Sequence, residues 1–150
     1  MPKVLITTVP FGDKDRLPLD LLENEGIEYL INPFNKKLTE AQLADMITDF
    51  DVIIAGTEPI SEKVLKRANK LKLISRVGIG LDSVDLLAAQ ERGIKVSYTP
   101  DAPAPAVSEL TLGLMLCLLR SVHVSNSQMH QGNWYRYFGR RLEEVTVGII

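Results

Sequence analysis

Short apolar, β-branched runs alternate along this chain with stretches whose apolar residues recur every three or four positions. The runs lie at 4–8, 28–32, 52–55, 73–77 and 96–98. Val52-Ile53-Ile54-Ala55 is apolar throughout, as in a strand covered on both faces. Between the runs the spacing predicts helices. Thr39-Glu40-Ala41-Gln42 reads as a capping box, with Leu43, Met46 and Ile47 forming the buried stripe behind it. Ser61 is placed to cap a helix in which Val64, Leu65, Ala68 and Leu71 share a face. Asp82 is placed to cap the next helix, with Asp85 in its first turn and Gly93 as its stop. The first helix falls within 14–25 and stops at Gly26.

Five strand–helix alternations predict an α/β fold, a doubly wound parallel sheet with helices on both faces and right-handed crossovers. Ligands of such sheets sit beyond the carboxyl ends of the strands. The loop Val77-Gly78-Ile79-Gly80 follows the fourth run, and the turn Gly56-Thr57-Glu58-Pro59 follows the third. Both belong at that edge, side by side.

The pattern changes after Tyr98. Pro100, Pro103 and Pro105 predict a stiff connector without regular structure. A helix is expected from about Ala106, with Glu109 in its first turn. Val107, Leu110, Leu112, Leu114, Met115, Leu116, Leu118 and Leu119 surround it almost completely. A helix apolar on every side needs cover on every side, which predicts a second domain or a second subunit against it. A more polar helix is expected over 121–130, broken by Gly132, and a loop with Trp134, Tyr135, Tyr137 and Phe138 follows. Residues 145–150 read as the start of another buried strand, interrupted in mid-pattern, which predicts a boundary inside a longer protein. The expected division is 1–100 and 101–150.

Composition narrows the function. Lys and Arg total 17 against 19 Asp and Glu, a net charge of -2, which argues against a nucleic-acid or anionic-membrane binder. The local cluster Arg136, Arg140 and Arg141 reads as a solvated loop. The longest apolar stretch, 110–119, ends at Arg120 and is far shorter than the roughly 20 residues of a membrane span. Cys117 is the single cysteine, expected as a buried inert thiol in a protein of the reducing cytoplasm. His123 and His130 are the two histidines and no paired cysteines accompany them, so no metal site is expected.

The candidate chemistry sits in Arg76-Val77-Gly78-Ile79-Gly80-Leu81-Asp82-Ser83. A strand end, a glycine loop and a helix start aim backbone N–H groups at one spot, which suits a small anion. A dinucleotide fingerprint, G-x-G-x-x-G, would need glycine where Ser83 stands. The amides of Val77, Gly78, Ile79 and Gly80 are therefore candidate carboxylate donors, and the plain alternative is a strand-to-helix turn. Arg76 is a candidate for added positive charge, or else pairs with Asp82 or Asp85. Thr57 is a candidate substrate contact, or a turn former.

These segments together resemble the D-isomer-specific 2-hydroxyacid dehydrogenases. The resemblance runs through Arg76-Val77-Gly78-Ile79-Gly80-Leu81-Asp82-Ser83-Val84-Asp85-Leu86, Ala88-Ala89 and Arg92-Gly93-Ile94-Lys95-Val96. It continues through Thr99-Pro100, Ala106-Val107-Ser108-Glu109, the Leu-rich helix ending at Arg120, Gly132-Asn133-Trp134, Gly139, Leu142 and 146–150. It covers the second half of the chain in order; the first half matches in its strand–helix rhythm.

The resemblance implies a flavodoxin-like substrate domain followed by a Rossmann domain that binds NAD, with 147–150 as the first Rossmann strand. It implies an oxidoreductase that moves a hydride between a nicotinamide and a small 2-hydroxy or 2-oxo acid, with 3-phosphoglycerate among the open substrates. The family's substrate-clamping Arg, acid/base His and orienting Glu would lie beyond Ile150, so no catalytic residue is assigned and the chain alone is expected to be inactive. Ile79, Val107 and Ser108 would approach the nicotinamide. The Leu-rich helix would form a homodimer. The competing reading is a stand-alone flavodoxin-like binding or dimerisation module. The turns Thr7-Thr8-Val9-Pro10 and Gly56-Thr57-Glu58 lack the clustered aspartates of a phosphoacceptor receiver, and Val9-Pro10-Phe11-Gly12 is a poor FMN phosphate loop.

Overall fold

In the computed structural model, residues 1–149 are described. They form two compact units, Met1–Ala102 and Pro103–Ile150. The first unit is a five-stranded parallel sheet in the order β2-β1-β3-β4-β5. Its strands are β1 (Lys3–Ile6), β2 (Glu28–Ile31), β3 (Val52–Ala55), β4 (Leu73–Arg76) and β5 (Lys95–Ser97). Helices α1 (Leu17–Asn24), α2 (Glu40–Met46), α3 (Glu62–Arg67) and α4 (Leu86–Glu91) make the crossovers. This is a doubly wound α/β fold. The strand order reverses between β1 and β3, which opens a crevice at their carboxyl ends.

Local chemistry explains most of the boundaries. The Thr39 hydroxyl accepts from the Gln42 amide while the Gln42 side chain accepts from the Thr39 amide, so the capping box starts α2. Ser61 accepts from Val64 N and starts α3. The start of α4 differs from expectation. Its cap is Asp85, whose Oδ1 accepts from Ala88 N at 3.0 Å, one turn later than Asp82. The intervening residues form an isolated parallel bridge with Ile60 instead. Ile60 N donates to Ser83 O at 2.8 Å, and Asp85 N donates to Ile60 O at 2.9 Å. The glycine loop therefore stands clear of the helix end, and α4 lends it no dipole.

The sheet separates two apolar layers. On one face Leu5, Ile53 and Ile74 pack against Leu43, Val64, Leu65 and Ala89, contributed by α2, α3 and α4. Each such fully buried Leu, Ile or Val contributes about 1.5–3 kcal/mol. On the other face Val4, Ile6 and Leu19 pack with Leu22 and Ile54, and α1 is the one helix of this unit that lies there. This corrects the expectation for β3: Ile53 and Ala55 are sealed, whereas Val52 and Ile54 are only half-buried.

The second unit holds α5 (Ala104–Leu119) and α6 (Val122–His130). Helix α5 begins before Ala106, because Pro105 sits in its first turn, where the missing N–H costs no hydrogen bond. Gly139 packs against the end of α5: a Cβ there would lie 2.7 Å from Leu119 O. No residue of α5 is buried, so the described residues do not supply the all-round cover that its composition demands. Cys117 is half-buried rather than buried, with Sγ 3.6 Å from His123 Nδ1. Residues 146–149 form no strand, since no described strand pairs with them, and Ile150 of the expected Rossmann strand lies outside the described residues. No single described helix is long and apolar enough to cross a membrane.

Candidate functional site

A cleft of about 200 Å³ opens at the carboxyl ends of β1, β3 and β4. Thr7, Thr8 and Val9 line it after β1, Gly56, Thr57 and Glu58 after β3, and Arg76 and Val77 at the end of β4. Lys37 closes one side. The cleft lies at the reversal of strand order, where parallel sheets of this kind bind ligands.

Arg76 is the last residue of β4 and is 8 % exposed. Its Nη1 donates to the carbonyl of Val77, and its Nε is buried with no partner among the described residues. Burying an arginine without an ion pair is costly, so its place at a cleft wall points to a ligand of opposite charge. The guanidinium lies directly over Gly78. Gly78 has φ +135, and an added Cβ would sit 2.7 Å from Nη1. Glycine is required here by backbone conformation, and a Cβ would make the guanidinium end shift.

The loop amides divide into two kinds. Val77 N donates to Ala55 O at 2.9 Å and so extends the β3–β4 ladder. That corrects its expected role: its amide is spent on the sheet, and what it offers the cleft is an exposed side chain. The amides of Gly78, Ile79 and Gly80 meet no acceptor among the described residues. Their direction is constrained. The Val77 carbonyl is held by Arg76, and the Gly78 carbonyl accepts from Thr99 N at 3.0 Å. In a trans peptide the N–H points opposite to the C=O. The Gly78 and Ile79 N–H groups are thereby turned away from these inner partners.

The buried carboxyl of Glu58, 1 % exposed, is the part of the site that sequence reasoning passed over. Thr7 Oγ1 donates to its Oε1, with Ile54 O as that hydroxyl's alternative acceptor at 3.1 Å. Gly56 N donates to the same Oε1 at 3.0 Å. Asn32 was also missed. Its Nδ2 donates to Thr7 O at 3.2 Å and to Lys36 O at 2.8 Å, which ties the Lys37 loop to the end of β1. The usable signal was the pairing of turns after β1 and β3, neighbours in a sheet of order β2-β1-β3-β4-β5.

The remaining candidates are placed as follows. Thr57 is exposed on the cleft lining, and its hydroxyl has no hydrogen bond among the described residues. Ile79 is 57 % exposed. Val107 and Ser108 belong to the second unit, in the first turns of α5, where Ser108 Oγ donates to Pro105 O at 2.7 Å.

Comparison with known proteins decides the family. The model of the D-isomer specific 2-hydroxyacid dehydrogenase catalytic domain matches residues 9–145. The chain belongs to this family. Among its relatives, the dehydrogenases share the sequence at moderate identity. A D-3-phosphoglycerate dehydrogenase of Methanocaldococcus jannaschii is 39% identical over 117 residues, 75% of this chain and 22% of the relative. A hydroxypyruvate reductase of Thermotoga maritima is 33% identical over 139 residues, 87% of this chain and 45% of the relative. In structure, the family fold appears in an NAD+-bound 3-phosphoglycerate dehydrogenase of Entamoeba histolytica. The TM-score is 0.76 at 27% identity, covering 94% of this chain and 43% of that one. The chain thus spans less than half the length of these family members.

Family membership raises the question of a dinucleotide. The 150 residues contain no G-x-G-x-x-G, and the third position of the nearest pattern is Ser83, whose Oγ is buried without a partner among the described residues. With α4 starting only at Leu86, the loop is no pyrophosphate cradle either. These residues alone do not fit the cofactor.

Proposed function

We propose that this chain is the substrate-binding portion of an NAD-dependent D-2-hydroxyacid dehydrogenase. The observation that carries the reading is that the amides of Gly78, Ile79 and Gly80 meet no acceptor among the described residues, in the loop that follows the buried Arg76. The amides hold one carboxylate of a small 2-hydroxy or 2-oxo acid, and Arg76, on the wall of the adjoining cleft, adds the opposite charge. Fixing the acid in this way is the chain's contribution to hydride transfer, since orientation alone lowers a bimolecular barrier by several kcal/mol, up to about 7–11. NAD, when bound to the whole enzyme, supplies the hydride acceptor. Ile79, Val107 and Ser108 are assigned to the nicotinamide side by family resemblance. The three catalytic side chains of the family match no motif here, so the chain by itself is inactive.

A second copy of the chain is the proposed partner of α5. Leu110, Leu112, Leu114 and Leu118 are between 47% and 71% exposed. Sixteen residues of apolar helix with no buried position call for an apolar partner. The single Cys117 is consistent with a reducing, cytoplasmic setting.

The test is a panel of 2-oxo acids with NADH. The 150-residue chain is expected to bind such acids and to leave NADH unoxidised. Turnover by the chain alone contradicts the assignment of catalysis to other residues. Failure to bind any acid removes the substrate reading.

A further inference from the structure

The family relatives divide between a phosphorylated and an unphosphorylated three-carbon acid in their names, and the cleft bears on that choice. We propose that Glu58 makes the cleft select a small 2-hydroxy or 2-oxo acid with a neutral hydroxyl at its far end, and reject the phosphoryl ester of the same acid. The inference rests on the reading of Gly78–Gly80 and Arg76 as the carboxylate grip.

Geometry fixes Glu58 as a wall of the cleft. Both of its hydrogen bonds, from Thr7 and from Gly56, converge on Oε1. Its Oε2 takes none from the described residues. That second oxygen lies 2.9 Å from where a Cβ on residue 56 would begin, so glycine at 56 leaves room for the carboxyl. Thr7 is 1 % exposed, and Asn32 holds its carbonyl from behind. Glu58 therefore cannot swing away without breaking a buried bond. An acceptor oxygen is left over on a side chain that lines the cleft.

Charge then decides which ligand fits. Arg76 is taken up by the acid's carboxylate. Lys37 is exposed, so solvent screens it. Glu58 is buried, where a like charge is felt at much lower dielectric. A phosphoryl group would bring about two further negative charges against the buried Glu58 carboxyl, with the buried cation of the same lining, Arg76, already engaged by the acid's carboxylate. A hydroxyl donor brings none and gives Oε2 its missing partner. Sites built around a buried hydrogen-bonding group discriminate strongly against analogues that leave it unpaired. A methyl in place of the hydroxyl should therefore also bind less well.

Calorimetric titration of the 150-residue chain with D-glycerate, D-lactate and 3-phospho-D-glycerate tests the proposal. D-glycerate should bind tightest, D-lactate about tenfold and 3-phospho-D-glycerate at least about tenfold more weakly. In Glu58→Gln, whose amide oxygen still accepts from Thr7 and Gly56, the preference for glycerate over its phosphoryl ester should shrink by about tenfold. Equal or tighter binding of the phosphoryl ester by the unsubstituted chain overturns the proposal, with no need of the variant. A native-like Glu58→Gln protein with an unchanged preference overturns it as well. Binding of none of the three acids removes the carboxylate grip itself, and this inference with it.

Discussion

The guanidinium of Arg76 fills the space in which a side chain at residue 78 would begin. A Cβ on Gly78 would stand 2.7 Å from Arg76 Nη1, and the same nitrogen donates to the Val77 carbonyl. Arginine and glycine thus work as one unit: the first orients the peptide whose N–H the second presents. Replacing Gly78 with alanine meets a φ of +135 and makes the guanidinium end shift. The expected cost is about 1–3 kcal/mol of stability, read as a lower denaturation midpoint, with loss of acid binding. An alanine variant as stable as the parent would contradict the close packing.

Arg76 itself should show the opposite signature. A buried guanidinium with an unpaired Nε adds little to stability. Arg76→Met should leave the thermal midpoint unchanged or raised, while acid binding weakens by at least about tenfold. Destabilisation with intact binding would make the arginine a structural residue.

The start of α4 can be tested by a pair of variants. Asp85 caps the helix, whereas Asp82 folds its Oδ1 to within 2.7 Å of a Cβ position on Gly80. Asp85→Ala should cost about 1 kcal/mol and Asp82→Ala less than about 0.5 kcal/mol in denaturant titration. Equal costs would place the cap elsewhere.

Acid should weaken the first unit through the amino ends of its strands. The Lys72 ammonium, bonded to Asp51 Oδ1 at 2.8 Å, and the Lys3 amide, bonded to Oδ2 at 3.1 Å, hold the Asp51 carboxyl below its usual value. Lys70 does the same for Asp49. A carboxyl depressed in the folded state contributes its stability above its unfolded pKa and loses it as pH falls through the folded one. The thermal midpoint should therefore fall progressively below the ordinary aspartate pKa of about 3.9, with Asp51→Asn flattening the profile. An identical profile in that variant would discount the contact.

Helix α5 should draw two chains together. Sedimentation of the 150-residue chain is expected to give a dimer, and Leu110→Asp, at a position 63% exposed, a monomer. A clean monomer of the unsubstituted chain would contradict the proposed interface.

The alternation of apolar runs with capped amphipathic stretches carried the sheet. β3 falls on 52–55 as read, and the Thr39 box and the Ser61 cap start their helices. Three features needed coordinates. The cap of α4 moved because Ile60 captures Ser83 and Asp85, a contact across more than twenty residues that no local pattern encodes. The Val77 amide went to Ala55 because register, unlike strand identity, is a property of the sheet. Glu58 is buried because Thr7 stands opposite it, and a glutamate in a Gly-Thr-Glu-Pro turn otherwise reads as solvated. In 146–149 the apolar pattern of a strand is present but no partner strand is, and extended backbone needs a partner to satisfy its polar groups.

The carboxylate grip at Gly78, Ile79 and Gly80 is tested most directly by amide NMR of the ¹⁵N-labelled chain during titration with D-glycerate. The amide signals of these three residues should move together and saturate, and that of Val77, already bonded to Ala55, should move least. Unmoved signals at 78–80, or a response confined to the second unit, would contradict the account.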